Sequence, residues 1–176
     1  MLPCGSRRIL IYGVTGSGKT TFARLLSERT GIPWHSVDDL TWEPNWVEVP
    51  LEVQKARFAE ICARNEWILD TAYAKWLEIP LARVELVFGL DYPRWFSFIR
   101  LLRRTAARVI DRKEICNGNR ETFRNLVSRE SILVWHFKSF RNKRERIRRW
   151  AANPDGPKVV LLRSAREAER WLQQLP

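Results

Sequence analysis

The chain has 176 residues, 45% of them apolar, which is enough for one globular domain with a single core and short for two. No apolar run approaches the roughly 20 residues that cross a bilayer, and the start MLPCGSRRIL lacks the long apolar stretch of a secretory leader; a soluble cytoplasmic protein without a membrane partner is expected. The net charge of +11 is concentrated in one block, since residues 94 to 149 hold 17 Lys/Arg against 5 Asp/Glu.

In chain order, RRILIYG (residues 7–13) is a β-branched apolar run ending in Gly13, and KTTFARLLSERT repeats Phe22, Leu25, Leu26 and Arg29 at helical spacing before Gly31. Between them GVTGSGKTT fits G-x-x-x-x-G-K-[ST] from Gly13 to Thr20. Gly13, Gly16 and Gly18 free the backbone to turn its amides inward, with Ser17, Thr20 and Thr21 at the opening helix; such a loop binds the phosphates of a nucleoside triphosphate. Lys19 supplies a cation for the β/γ-phosphates and the Thr20 hydroxyl a ligand for Mg²⁺, so ATP and Mg²⁺ are the expected cofactors.

Beyond Gly31, IPWHSV reads as a second strand, residues 50–65 as a helix, EWILD as a third strand and VELVFGL as a fourth. Residues 91–110 and 133–150 read as helices, PKVVLLR as a fifth strand and residues 165–175 as a closing helix. Strands separated by helices predict parallel βαβ units in a single domain. Residues 38–50 and 111–130 are expected as long loops. The three cysteines, Cys4, Cys62 and Cys116, are odd in number and far apart, which fits reduced thiols.

Carboxylates follow three of the strands, at the edge where a parallel sheet carries its ligands. Asp70 stands where an acidic group approaches the Mg²⁺ shell, Asp38 and Asp39 follow the second strand, and Asp91 reads either as a site residue or as a cap for the helix begun by Pro93. In the basic block Arg100, Arg104 and Arg108 recur every four residues beside Arg103, opposite Phe96, Ile99, Leu102, Ala106 and Val109. Arg141, Arg144 and Arg148 repeat the arrangement after the loop. Two arginine faces flanking a loop can close over phosphates. Trp42 and Trp46 offer flat faces for a ring, or packing for their own loop.

Taken in order, GVTGSGKTT, WHSVDDLTWEPNW, WILDTAY, VFGLDYPRW, RLLRRTAARV, EICNGNRETF and LLRSAREAERWL resemble the P-loop kinases of the adenylate-kinase-like superfamily. They are more closely similar to the bacterial adenylate-kinase-related proteins often labelled DNA topology modulation proteins. The resemblance implies an α/β, three-layer P-loop NTPase fold with a five-stranded parallel sheet, an acceptor-binding segment over residues 38–64 and a lid loop over 111–130. It implies catalytic roles for Lys19, Asp70, Arg104 and Arg144, with Thr20 and Asp70 at the metal. Acceptor and lid contacts would come from Asp38, Asp39, Trp42, Trp46, Arg100, Arg103 and Arg141. One departure stands out: Thr71 and Ala72 occupy positions where related chains carry Gly after the acidic residue.

The expected function is ATP-dependent phosphoryl transfer to a small-molecule acceptor, with Asp38 or Asp39 orienting that acceptor. The alternative is a nucleic-acid-associated NTP-binding protein whose block 94–149 tracks a phosphate backbone.

Overall fold

A computed structural model describes residues 2–111, 114–115, 117–120 and 132–175, so most of the expected lid loop lies outside the described residues. Strand β1 (Arg8–Gly13) alternates its side chains, as an extended chain must. Ile9 and Ile11 enter one apolar layer, whereas Leu10 and Tyr12 enter the other. That two-sided burial explains why the strand reads as a continuous apolar run. Four further strands join it in parallel: β2 (Trp34–His35), β5 (Trp67–Leu69), β6 (Leu86–Leu90) and β9 (Lys158–Leu162). The order across the sheet is β2-β5-β1-β6-β9, which puts the C-terminal ends of β1 and β5 side by side.

Helices α1 (Lys19–Thr30) and α7 (Ala165–Gln173) cover the first layer, where Phe22, Leu26, Phe88 and Leu172 meet. Helix α1 ends on Gly31, whose φ of 71° is the left-handed C-terminal cap read from the sequence. Helix α7 starts at Ser164, whose hydroxyl accepts from the Glu167 N–H. Helices α3 (Leu51–Ala63) and α6 (Ile132–Ala152) cover the second layer through Phe58, Ile61 and Ile147. Helix α6 lies close on β6, because a Cβ added at Gly89 would stand 2.4 Å from Ile147 Cγ2.

Residues 38–50 are not a long loop. Ser36 caps a short helix α2 (Val37–Thr41), and a hairpin of β3 (Trp42–Glu43) and β4 (Val47–Glu48) follows. A second hairpin, β7 (Glu114–Ile115) with β8 (Asn119–Arg120), stands in the expected lid. Two further α-helices among the described residues are α4 (Glu78–Leu81) and α5 (Arg94–Ile110).

Helix α5 differs from its sequence pattern. The line it buries is Ser97, Leu101 and Thr105, while Ile99 and Leu102 of the apolar stripe are exposed. The cause is a close approach: a Cβ at Gly16 would sit 2.3 Å from the Ser97 carbonyl oxygen and 2.9 Å from Leu101 Cβ. A helix backbone that touches the P-loop needs small side chains at the contact, and Ser97 meets that need. Asp91 does not cap this helix, whose N-cap is Pro93; it receives Arg144 and Arg148 instead.

Candidate active site

The loop after β1 turns at Gly16 (φ 82°) and Gly18 (φ 90°), values that side chains rarely adopt, and opens onto the N-terminus of α1. The Val14 carbonyl organises it, accepting from the Ser17 hydroxyl at 2.8 Å and from Lys19 Nζ at 3.0 Å. Burial holds the Lys19 ammonium below the usual lysine range, offset by the carboxylates of Asp38 and Asp70 and reinforced by Arg104. A half-buried cation at the start of a helix suits an anion that brings several negative charges.

Strand β5 delivers Asp70 to the mouth of this loop, 3% exposed. Its Oδ2 accepts the Thr20 hydroxyl at 2.8 Å and its Oδ1 the Val37 N–H at 3.0 Å. Burial raises the Asp70 pKa, and those two hydrogen bonds and Lys19 oppose the rise. A hydroxyl and a carboxylate side by side at a phosphate loop fit Mg²⁺, which keeps most of its shell as water and phosphate oxygen and needs few protein ligands. Among the described residues no cluster of three or more His, Cys, Asp or Glu offers a protein-only cage.

Asp38 lies on α2 beside this pair and accepts the Tyr73 hydroxyl at 2.7 Å. Tyr73 is carried by the segment after β5, which a buried network fixes: Trp76 stacks on Phe58 at 3.9 Å and donates its indole N–H to Gln54 Oε1 at 3.1 Å. Burial first, and Asp38 next, push the Tyr73 phenol far above its ordinary value, so it stays a donor. Asp39 is exposed on the same helix. Trp42 and Trp46 meet edge to face at 6.1 Å, so each is the other's neighbour in the β3–β4 hairpin. Thr71 and Ala72 are both buried behind Asp70.

The arginines divide. Arg100 reaches the loop, its guanidinium 3.1 Å from where a Gly18 Cβ would be, and Arg104 acts on Lys19. Arg103 is exposed. On α6, Arg141 pairs with Glu145 at 2.7 Å, 82% exposed, while Arg144 and Arg148 bind the two oxygens of Asp91 at 2.5 and 2.9 Å. The α6 cation that meets Lys19 and Asp38 is Lys143, whose pKa burial and Lys19 lower to about 7. The same helix sends fully buried His136 to the loop, where its Nδ1–H donates to the Thr15 carbonyl at 3.0 Å; burial keeps this imidazole neutral by lowering its pKa.

Contacts distant in sequence, not a local pattern, bring Tyr73, His136 and Lys143 to the site. Tyr73 had a signal, three residues after the acidic end of a strand; His136 and Lys143 had only their place in a basic helix.

No family model matches the chain. A curated relative, adenylate kinase of Pyrococcus abyssi (strain GE5 / Orsay), is 34% identical over 87 residues, which cover 49% of this chain and 38% of that protein. The chain therefore matches well under half the length of that relative. Among solved structures, a sugar kinase from Janibacter sp. HTCC2649 is matched with a TM-score of 0.53 at 19% identity, over 96% of this chain and 93% of that one. A gluconokinase from Sinorhizobium meliloti 1021 gives 0.53 at 14% identity, over 96% and 93%. Shikimate kinase from Acinetobacter baumannii, in complex with shikimate, gives 0.54 at 16% identity, over 97% and 90%.

The fold is that of the P-loop kinases. It is an α/β fold with a five-stranded parallel sheet, and the phosphate loop stands where that fold requires, at the C-terminal end of β1. Helix α2 and the β3–β4 hairpin follow β2, the β7–β8 hairpin follows α5, and the two hairpins meet where Asn119 bonds Glu43 and Trp46.

Proposed function

We propose that the protein transfers the γ-phosphoryl group of ATP to a hydroxyl of a small molecule, and that it belongs with the adenylate-kinase-related group whose ordered motifs its sequence resembles. The observation that carries this reading is the placement of Asp38, held by Tyr73, within the field of Lys19 beside the Thr20–Asp70 pair. Transfer of this kind needs two oxygens in line and the moving charge stabilised, with little covalent work by the protein. The loop amides and Lys19 hold the donor's phosphates, leaving the Val14 carbonyl to Ser17. Thr20 and Asp70 would hold Mg²⁺, which when bound neutralises the phosphate oxygens. Asp38 takes the proton of the acceptor hydroxyl through the oxygen that Tyr73 leaves open. Arg100 and Lys143 approach the phosphates from α5 and α6.

A nucleoside monophosphate acceptor would call for arginine at the acceptor side. The acceptor segment brings a carboxylate and indoles instead, with the Tyr73 phenol on the carboxylate and Arg57 turned to the Leu40 carbonyl at 3.1 Å. A polynucleotide track is disfavoured by the same geometry, since Arg100, Arg144, Arg146 and Arg148 of the basic block each have an internal neighbour. The test is a screen of phosphoryl transfer from ATP onto hydroxylated metabolites, nucleosides, nucleoside monophosphates and 5′-hydroxyl oligonucleotides. Transfer confined to the hydroxylated small molecules and nucleosides supports the proposal; transfer to monophosphates or oligonucleotides alone refutes it.

A further inference from the structure

The β3–β4 hairpin has only two paired positions, Trp42 with Glu48 and Glu43 with Val47, too few to hold itself together in water. Its turn also carries strain: Asn45 and Trp46 have φ of 65° and 58°, and a bulky Trp in the left-handed region is disfavoured. What stabilises it comes from another part of the chain. Asn119 of β8, 3% exposed, uses both ends of its amide on this turn. Its Oδ1 accepts the Trp46 N–H at 2.6 Å and its Nδ2 donates to the Glu43 carbonyl at 2.9 Å. Asn117, at φ 62° in the turn before β8, donates from Nδ2 to the Asp39 carbonyl at 2.7 Å and the Trp42 carbonyl at 2.8 Å. Asn is suited to both demands at 117, tolerating positive φ and offering two donor hydrogens on one nitrogen.

We infer that Asn117 and Asn119 are positioning residues of the acceptor site, through which the β7–β8 hairpin of the lid holds β3–β4 and makes the two hairpins open and close as one wall. This rests on reading residues 38–64 as the acceptor-binding segment. The four bonds run from Asp39, next to Asp38, to Trp46, so they span the segment that carries the carboxylate and both indoles. The two Asn119 bonds break together, because Asn119 is buried and cannot exchange its partners for water one at a time, and the exposed Asn117 bonds add to them at the other end of the segment. The lid hairpin follows α5, which itself packs on Gly16 of the phosphate loop. On this proposal, nucleotide bound at the loop against which α5 packs is felt at the acceptor wall as well.

Amide hydrogen exchange on the full chain tests this, with and without Mg²⁺ and a non-hydrolysable ATP analogue. Without nucleotide, residues 42–48 and 117–120 exchange at similar rates in the wild type, and Asn119→Ala speeds the Trp46 amide by about tenfold or more with β1 and β6 unchanged. With the analogue, both hairpins slow together in the wild type; in Asn119→Ala only the lid hairpin slows, at unchanged analogue affinity. Asn117→Asp keeps the backbone conformation and the Asn119 bonds, and speeds residues 39–43, which decides the claim if Asn119→Ala fails to fold. Overturning results are an unchanged Trp46 amide in Asn119→Ala, or wild-type hairpins exchanging more than about tenfold apart. Absence of any analogue effect on the wild type contradicts the kinase reading, and the nucleotide-free comparison still decides the linkage.

Discussion

In the proposed transfer Lys19 serves the phosphates more than the packing, since its ammonium rests on the Val14 carbonyl. Lys19→Ala is expected to leave the fold intact and to lower turnover by on the order of 10²–10³ or more, as loss of a charge-stabilising group does; circular dichroism and single-turnover transfer check the two halves. Asp70→Asn keeps an oxygen for the Thr20 hydroxyl and loses the charge. The Mg²⁺ concentration for half-maximal turnover should rise several-fold while nucleotide binding without metal holds. An unchanged Mg²⁺ dependence makes Asp70 a structural partner of Thr20. Lys143 predicts a pH effect of definite sign. Its folded value of about 7 lies below the ordinary 10.5, so between them the unfolded chain binds a proton that the folded protein lacks, and stability rises with pH. Lys143→Met should raise the melting temperature near neutral pH and flatten its climb toward about pH 10. Equal slopes in the two proteins would place the Lys143 ammonium in water.

At the scale of elements, α6 bears on both the sheet and the phosphate loop. Its Ile147 lies over Gly89, its Arg144 and Arg148 hold Asp91 at the end of β6, and its His136 holds Thr15. Gly89→Ala would force the helix off the sheet and should cost about 1–3 kcal/mol in denaturant unfolding, as overpacking does. Nucleotide affinity should fall with it, because His136 and Lys143 move as part of the same helix. A variant as stable as the wild type would mean that Ile147 has room to turn. Helix α5 shows why periodicity alone misleads here. Its arginines and its apolar stripe are plain in the sequence, but which face turns inward is set by Gly16, about 80 residues earlier, which accepts only a close backbone.

Across the whole molecule, what the sequence makes legible is what local chemistry determines. The phosphate loop is spelled out by Gly16, Gly18 and Lys19, and the strands by apolar runs buried on both sides. Asp70 is legible because a strand end places it. Less legible is what distant contacts decide: the turn of the hairpin at 42–48 is held by Asn119, and Arg144 is paired with Asp91 while its neighbour Lys143 faces Lys19 and Asp38. A one-residue step along a helix turns a side chain by about 100°, so sequence spacing could not choose between 143 and 144. The central claim, that Asp38 serves a hydroxyl acceptor beside a P-loop donor site, is tested most directly by the transfer screen run on wild type, Lys19→Ala and Asp38→Asn. The account predicts transfer to a hydroxylated small molecule that Lys19→Ala abolishes, and that Asp38→Asn lowers in kcat by about 10²-fold or more with the KM for ATP unchanged. Full activity of Asp38→Asn on the same acceptor would contradict it.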